Sequence, residues 1–409
     1  MRPLFIQAEH KRSADLCRTT IEFEGLSPFK PRQIVYEIAG PDAPQLESNQ
    51  NFALAAALPT AMSLGRPLHL RGEADADFLA TMEEYMAAWC HWRPDLFQPV
   101  AISADRETLP QQSHDKSAIM AFSGGLDSIF ALHAHKKGLL GRRALEIQAA
   151  VLIQGFDIPL AEHKAFDMAQ SHVKAILDSY GVRLNVVRTN WQKPFCIKWG
   201  MTHVLGIAAV LHLFHRQFGS GVIADDVAYD TQVTPWSSNA ITNQMLGCGG
   251  FPIRTTGASW SRTEKASFVA ANPAVLEHLR VCYERPELGG NCGECEKCIR
   301  TKLNFYALGI NPVPALGQPI TIAGVTSTIP SHFDFPGSIS DILEKGTWPT
   351  ADPIRSELAR LVRNFKAGSP DLKPRTNKRR LNFFQRVKKR AHRLSNRISA
   401  VRSPGLSTE

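Results

Sequence analysis

The chain has no apolar run long enough to cross a bilayer. Its longest, 204–214, carries His212 inside it and falls well short of the ~20 residues a membrane-spanning helix needs. The apolar core of a secretory leader is missing too, because the opening MRPLFIQAEH reaches charge before one can form. These absences lead us to expect a cytoplasmic protein. No Gly-Lys-Ser/Thr ends a Walker A loop anywhere in the sequence, which excludes that route to binding a nucleotide. Acidic residues are absent from 372–408, where twelve Lys and Arg stand. Those twelve belong to a total of 47, so the rest of the chain has 35 bases against 38 acids and is close to neutral. The formal charge of +9 is therefore a property of one tail.

What is present is the composition of a soluble globular protein. The 409 residues are 44% hydrophobic and 21% charged, enough for one large or two to three ordinary domains with ample core. Residues 1–115 show strand-like patterns over 3–8, 18–24 and 33–39 and helical ones over 51–63 and 76–92. No recognisable chemistry accompanies them, so we read an accessory α+β region that covers an edge or shapes a pocket.

From 117 to 258 strand and helix signals alternate. Strands are expected to end at Ser123 and to span 148–154, 184–188, 221–224 and 251–255, with helices over 127–137, 160–180 and 200–218 between them. Such alternation implies an α/β fold, a doubly wound five-stranded parallel sheet with helices on both faces.

The first strand runs into Ser123-Gly124-Gly125-Leu126-Asp127-Ser128, a glycine turn followed by a helix start. Glycine removes the Cβ atoms that keep a ligand off the backbone, and the amides opening a helix have no partners within it. That combination favours an anion.

A second constellation is Cys282, Cys292, Cys295 and Cys298, with Gly293 between the middle pair. In a chain expected to be cytoplasmic, thiols so crowded point to a metal rather than to disulfides. Four sulfurs can close a tetrahedral shell and leave no open position, so the ion, Zn²⁺, is expected to be structural; an iron–sulfur cluster is the chemical competitor. The isolated Cys17, Cys90, Cys196 and Cys248 read as ordinary thiols.

The SGGLDS loop resembles the SGGxDS signature of the ATP pyrophosphatase (PP-loop) superfamily. Joined to the C…CGxCxxCxR run, it is similar to the 7-cyano-7-deazaguanine synthase branch over about 117–308. The resemblance implies an adenine nucleotide alpha hydrolase-like fold with strand order 3-2-1-4-5 and a C-terminal zinc-bound helical region, the ATP-binding domain spanning 116–310 with the four-cysteine zinc site in it. It further implies that Ser123, Gly124, Gly125 and Ser128 bind phosphates of ATP and that Asp127 reaches Mg²⁺. Gly155, after the second strand, would lie against adenine. Asp225, with Asp226, would face the loop for Mg²⁺ or a polar substrate group, or simply turn the chain. Arg262 and Lys265, in a segment resembling a family helix start, are candidates to touch phosphate or carboxylate, and Trp260 to stack on a heterocycle.

The activity implied is ligase chemistry: a small heterocyclic acid, 7-carboxy-7-deazaguanine in that branch, is adenylated, and ammonia displaces AMP to give an amide and then a nitrile, as in queuosine biosynthesis. Two regions depart from the short synthases, 1–115 and the residues after 310. The latter divide into a helical extension over 311–369, including 354–365, and a tail over 370–409. Apolar residues at every third or fourth place from Leu381 to Val401 make 378–402 a basic amphipathic helix suited to RNA, an anionic membrane surface or a protein. A homodimer is a further candidate assembly. The alternatives are a tRNA-modifying PP-loop enzyme, a nucleobase-to-protein conjugating enzyme, and a non-catalytic ATP-sensing module.

Overall fold

The structure is a computed structural model that describes residues 2–13, 16–26, 32–44, 49–109, 115–232, 234–328 and 335–366. The helix expected over 378–402 and the rest of the tail lie outside the described residues.

The leading region contributes β1 (Leu4–Ser13), β2 (Leu16–Glu24), β3 (Gln33–Ala39), α1 (Asn51–Leu64), β4 (Leu68–Asp75), α2 (Ala76–Trp92) and β5 (Ile102–Thr108). The alternating region follows with β6 (Ser117–Ala121), α3 (Leu126–Lys136), β7 (Glu146–Gln154), α4 (His163–Ser179), β8 (Arg183–Thr189), the short α5 (Gln192–Phe195), α6 (Trp199–His212), β9 (Ser220–Ala224) and β10 (Ile253–Thr256). Among the described residues ten strands form one sheet in the order β10-β9-β6-β7-β8-β3-β2-β1-β4-β5.

The α/β class stands, but the five-stranded parallel sheet expected from the sequence is corrected to a mixed sheet of ten strands. The accessory strands do not merely cover an edge. They extend the sheet, because β3 pairs antiparallel with β8 from Tyr36 opposite Thr189 to Ala39 opposite Val186. That pairing satisfies backbone groups which an open β8 edge would leave exposed. Within the sheet, β8, β7, β6, β9 and β10 are mutually parallel, and their order along the chain reads 3-2-1-4-5.

Both faces of the parallel strands are buried, as such strands require. Ile119, Val151, Ile153 and Val187 join a core with Phe78, Met82 and Trp89 of α2 and Leu205 and Ala208 of α6. Ala118, Met120, Ala150 and Leu152 face the other way, onto Phe130 of α3 and Phe166 and Val173 of α4. Two strands escape sequence reading for clear reasons. β4 changes register between Leu70 and Glu73, which breaks its alternation, and β5 is an edge strand of mostly polar residues.

Beyond the sheet come α7 (Arg262–Val269), α8 (Pro273–His278), the cysteine loop and α9 (Glu296–Tyr306), then α10 (Ile322–Thr328), α11 (Phe335–Lys345) and α12 (Pro353–Lys366). The last three pack on α9 through Ile299, Leu303, Val325, Ile342, Leu358 and Leu361. The extension also grips α7, where Asp341 accepts from the Thr263 hydroxyl at 2.8 Å. No helix among the described residues is long and apolar enough to cross a membrane.

Candidate active site and metal centre

β6 lies between β7 and β9, so the chain leaves its carboxyl end toward one side and later returns on the other. At such a switch point the connections part and open a crevice beyond the strand ends. The 122–125 turn fills one wall of that crevice. Gly124 has φ +74°, which favours glycine, and a Cβ there would lie 3.0 Å from Val173 Cγ2, so that methyl would have to give way by a few tenths of an ångström. The exposed Ser123 hydroxyl accepts from the Gly125 amide at 3.3 Å, and the buried Ser128 hydroxyl donates to the Gly125 carbonyl at 2.9 Å. The amides opening α3 remain directed at the turn.

Asp127, in the first turn of α3, joins two cations of α7. Its carboxylate accepts from Arg262 Nη1 and, at 3.0 Å, from Lys265 Nζ. Burial by itself pushes this carboxyl up, but the charges of Arg262 and Lys265 outweigh it and hold it at about 2. α7 is placed by a capping box in which Ser261 and Glu264 satisfy each other's amides. Lys265 is fully buried and also donates to the Asp225 carbonyl at 2.7 Å, so it ties the end of β9 to the start of α3.

Asp225 is buried, and desolvation pushes its carboxyl up to about 6 against the pull of Lys265. Asp226 is better placed to meet a ligand. Its Oδ2 accepts from Trp236 Nε1 at 3.0 Å, while its Oδ1 is buried without a hydrogen-bond partner among the described residues. Gly155 has φ +100°, and a Cβ there would lie 1.8 Å from the Thr189 carbonyl oxygen. Its need for glycine is met inside the chain. Trp260 likewise packs inward, 5.0 Å from the Phe130 ring and 6.4 Å from Phe268.

The four cysteine sulfurs converge. Cys282 lies 3.5 Å from Cys292 and 3.8 Å from Cys295, and Cys292 lies 3.9 Å from Cys298; all four ligand atoms fall within 4.8 Å of one another. A tetrahedron of sulfurs about 2.3 Å from a central zinc has edges of about 3.8 Å. The donor set can therefore hold one ion, and its closeness leaves no room for a polynuclear cluster. A second shell orients it: Asn291 accepts from the Val281 and Cys282 amides at 2.8 and 3.1 Å and donates to the carbonyls of Leu279 and Ala315. Lys302 Nζ donates to the Gly293 carbonyl at 2.9 Å.

No family model, curated protein or solved structure matches this chain.

The sequence reading missed residues that the cysteine loop brings to the crevice. Lys297, between two of the cysteines, is desolvated and pushed down by burial and by the nearby Arg262 charge, while Asp127 and Asp226 pull the other way. Arg280, 4% exposed, donates from Nη1 to Asp157 Oδ2 at 2.6 Å and from its amide to the Gly124 carbonyl at 2.7 Å. Arg262 and Arg280 each keep Nε and Nη2 buried without a partner among the described residues. A Lys or Arg beside a metal-binding cysteine reads as a solvated charge in one dimension, so only the folded loop reveals these two.

Proposed function

We propose that this chain is an ATP-dependent enzyme that adenylates the carboxylate of a small heterocyclic acid and transfers nitrogen to it, releasing AMP and pyrophosphate. The observation that carries this reading is the glycine turn at the switch point of a 3-2-1-4-5 parallel order, faced by buried guanidinium groups with unused N–H donors. The resemblance of Ser123–Ser128 and of the four cysteines to the 7-cyano-7-deazaguanine synthase branch of the PP-loop superfamily supplies the reaction class.

In the first step a carboxylate oxygen attacks the α-phosphorus, and the bond to the bridging oxygen breaks as pyrophosphate leaves. Ammonia then attacks the acyl carbon and AMP departs with the electron pair of the broken C–O bond, leaving an amide. In a second ATP-dependent step the amide oxygen attacks the α-phosphorus of another ATP and pyrophosphate leaves; the C–O bond then breaks, AMP departs with that oxygen, and nitrogen gives up two protons to form the nitrile. None of these steps needs a side-chain nucleophile; they need charge stabilised where it accumulates.

The turn amides and Ser123 would receive the β and γ phosphates, and Arg262 the charge growing on the leaving group. Asp127 and the unpartnered oxygen of Asp226 are the oxygen donors that would hold Mg²⁺, which supplies further neutralisation of the phosphates. Zn²⁺ in the cysteine site would be structural, because four thiolates complete its shell. The acid–amide chemistry and not sulfur transfer is favoured by those thiols being committed to one converging site.

The test is incubation of the protein with Mg-ATP, ammonium and 7-carboxy-7-deazaguanine, following AMP and product mass, with Asp127→Asn alongside and its melting temperature checked. An amide or nitrile lost in the variant supports the reading in full. AMP without that product keeps adenylation and moves the acceptor elsewhere, and no AMP with any acid leaves an ATP-sensing module.

A further inference from the structure

Arg280 lies outside the glycine turn and outside the motif that marks it, yet it is built into the back of the turn. Its amide holds the Gly124 carbonyl at 2.7 Å. A Cβ on Gly124 would come within 3.8 Å of Arg280 Cβ, and one on Gly125 within 3.5 Å of the Arg280 carbonyl oxygen. From there the side chain runs to Asp157 beyond the end of β7, so the guanidinium spans the space between the ends of β6 and β7.

The Asp157 carboxylate uses only one of its nitrogens. Nε and Nη2 are buried and have no acceptor among the described residues, although the side chain as a whole is 3% exposed and that of Asp157 is 34%. Leaving charged donors desolvated and unmet is costly, and a fork of N–H groups matches an oxyanion with two oxygens. The helix-opening amides of α3 point at the same turn. The turn thus has the helix-opening amides of α3 on one side and, bonded to its Gly124 carbonyl, the residue whose guanidinium keeps two donors unmet, and both donor sets prefer the same ligand chemistry.

We infer that Arg280 is a polyphosphate-binding residue that completes the turn from its β7 side, with the Asp157 carboxylate a competing acceptor that draws the guanidinium away until an anion takes it. This rests on the proposed reading that the turn receives the phosphates of ATP. It adds a residue and a second role for the cysteine loop: Arg280 stands two residues before Cys282, whose amide and that of Val281 are fixed by Asn291. Metal and phosphate therefore share one short segment, and each stabilises the other's binding geometry.

The experiment is calorimetric titration of the full zinc-loaded chain with inorganic pyrophosphate, ATP and adenosine, for the parent protein, Arg280→Gln, Arg280→Lys and Asp157→Asn. Zinc content and melting temperature are measured on each. Loss of a charged fork is expected to weaken pyrophosphate and ATP by about ten- to a hundredfold in Arg280→Gln, with an intermediate loss in Arg280→Lys and no change for adenosine. Asp157→Asn frees the guanidinium and is expected to tighten pyrophosphate several-fold.

Equal pyrophosphate affinity in Arg280→Gln and the parent would overturn the inference and leave the ATP reading standing. Weakening in both Arg280→Gln and Asp157→Asn would also overturn it, since a purely structural ion pair predicts that pattern. If Arg280→Gln fails to fold, the sign of the Asp157→Asn change still decides. A parent protein that binds neither pyrophosphate nor ATP removes this inference and the proposed function together.

Discussion

The Lys265 ammonium lies 3.0 Å from the Asp127 carboxylate, 138 residues away in sequence. It joins the first turn of α3, just after the glycine turn, to α7, and its second bond, to the Asp225 carbonyl, brings in the end of β9. Both walls of the crevice are thus held by one buried cation.

Removing that cation should cost much more than a surface charge does. Lys265→Met leaves the Asp127 carboxylate with Arg262 alone and strips the donor from the Asp225 carbonyl, a loss of about 3 kcal/mol on the scale of a broken buried pair. Urea denaturation of the single variant and of Lys265→Met with Asp127→Asn measures it. The double variant should lose more still and not recover, because the buried Arg262 cation is then left without its carboxylate.

Acid stability should carry the mark of Asp127. Its folded value of about 2 lies below the ordinary 3.8, so its contribution is full above about pH 4 and disappears as the pH falls toward 2. The size is about 2 kcal/mol. Chemical denaturation between pH 2 and 5 should show a slope that Asp127→Asn flattens.

Asp225 acts with the opposite sign. Its carboxyl is raised to about 6 in the folded chain by burial, so its stabilising contribution is present below about pH 4 and is lost as the pH rises through 6. Asp225→Asn should remove that decline, read as a flatter stability profile between pH 4 and 7.

Metal removal should loosen more than the cysteine loop. One zinc per chain is expected, and Cys298→Ser or chelation should release it and lower the melting temperature. Hydrogen exchange should quicken at 279–298 and also at 122–126, because the Arg280 amide is bonded to the Gly124 carbonyl. Quickening confined to the cysteine loop would disprove the link between the two.

The sequence by itself determined the local elements and the two motifs. Alternating strand and helix signals located β6 to β10, the glycine pair placed the turn, and the C-x9-C-x2-C-x2-C spacing marked sulfurs that prove to lie within reach of one ion. These features are legible because side-chain periodicity, glycine conformation and short-range ligand spacing are written along the chain. Tertiary structure alone decided three things. β3 of the leading region was joined to β8, which turned five strands into ten; strand pairing between distant segments depends on edge complementarity and leaves no local pattern. Lys265 was spent on Asp127 and Asp225, and Gly155 on the approach of Thr189, because a side chain's partner is settled by packing and not by its neighbours in sequence. Arg280 came to lie against the glycine turn because the chain before Cys282 folds back onto it, and a charge's burial exists only in three dimensions.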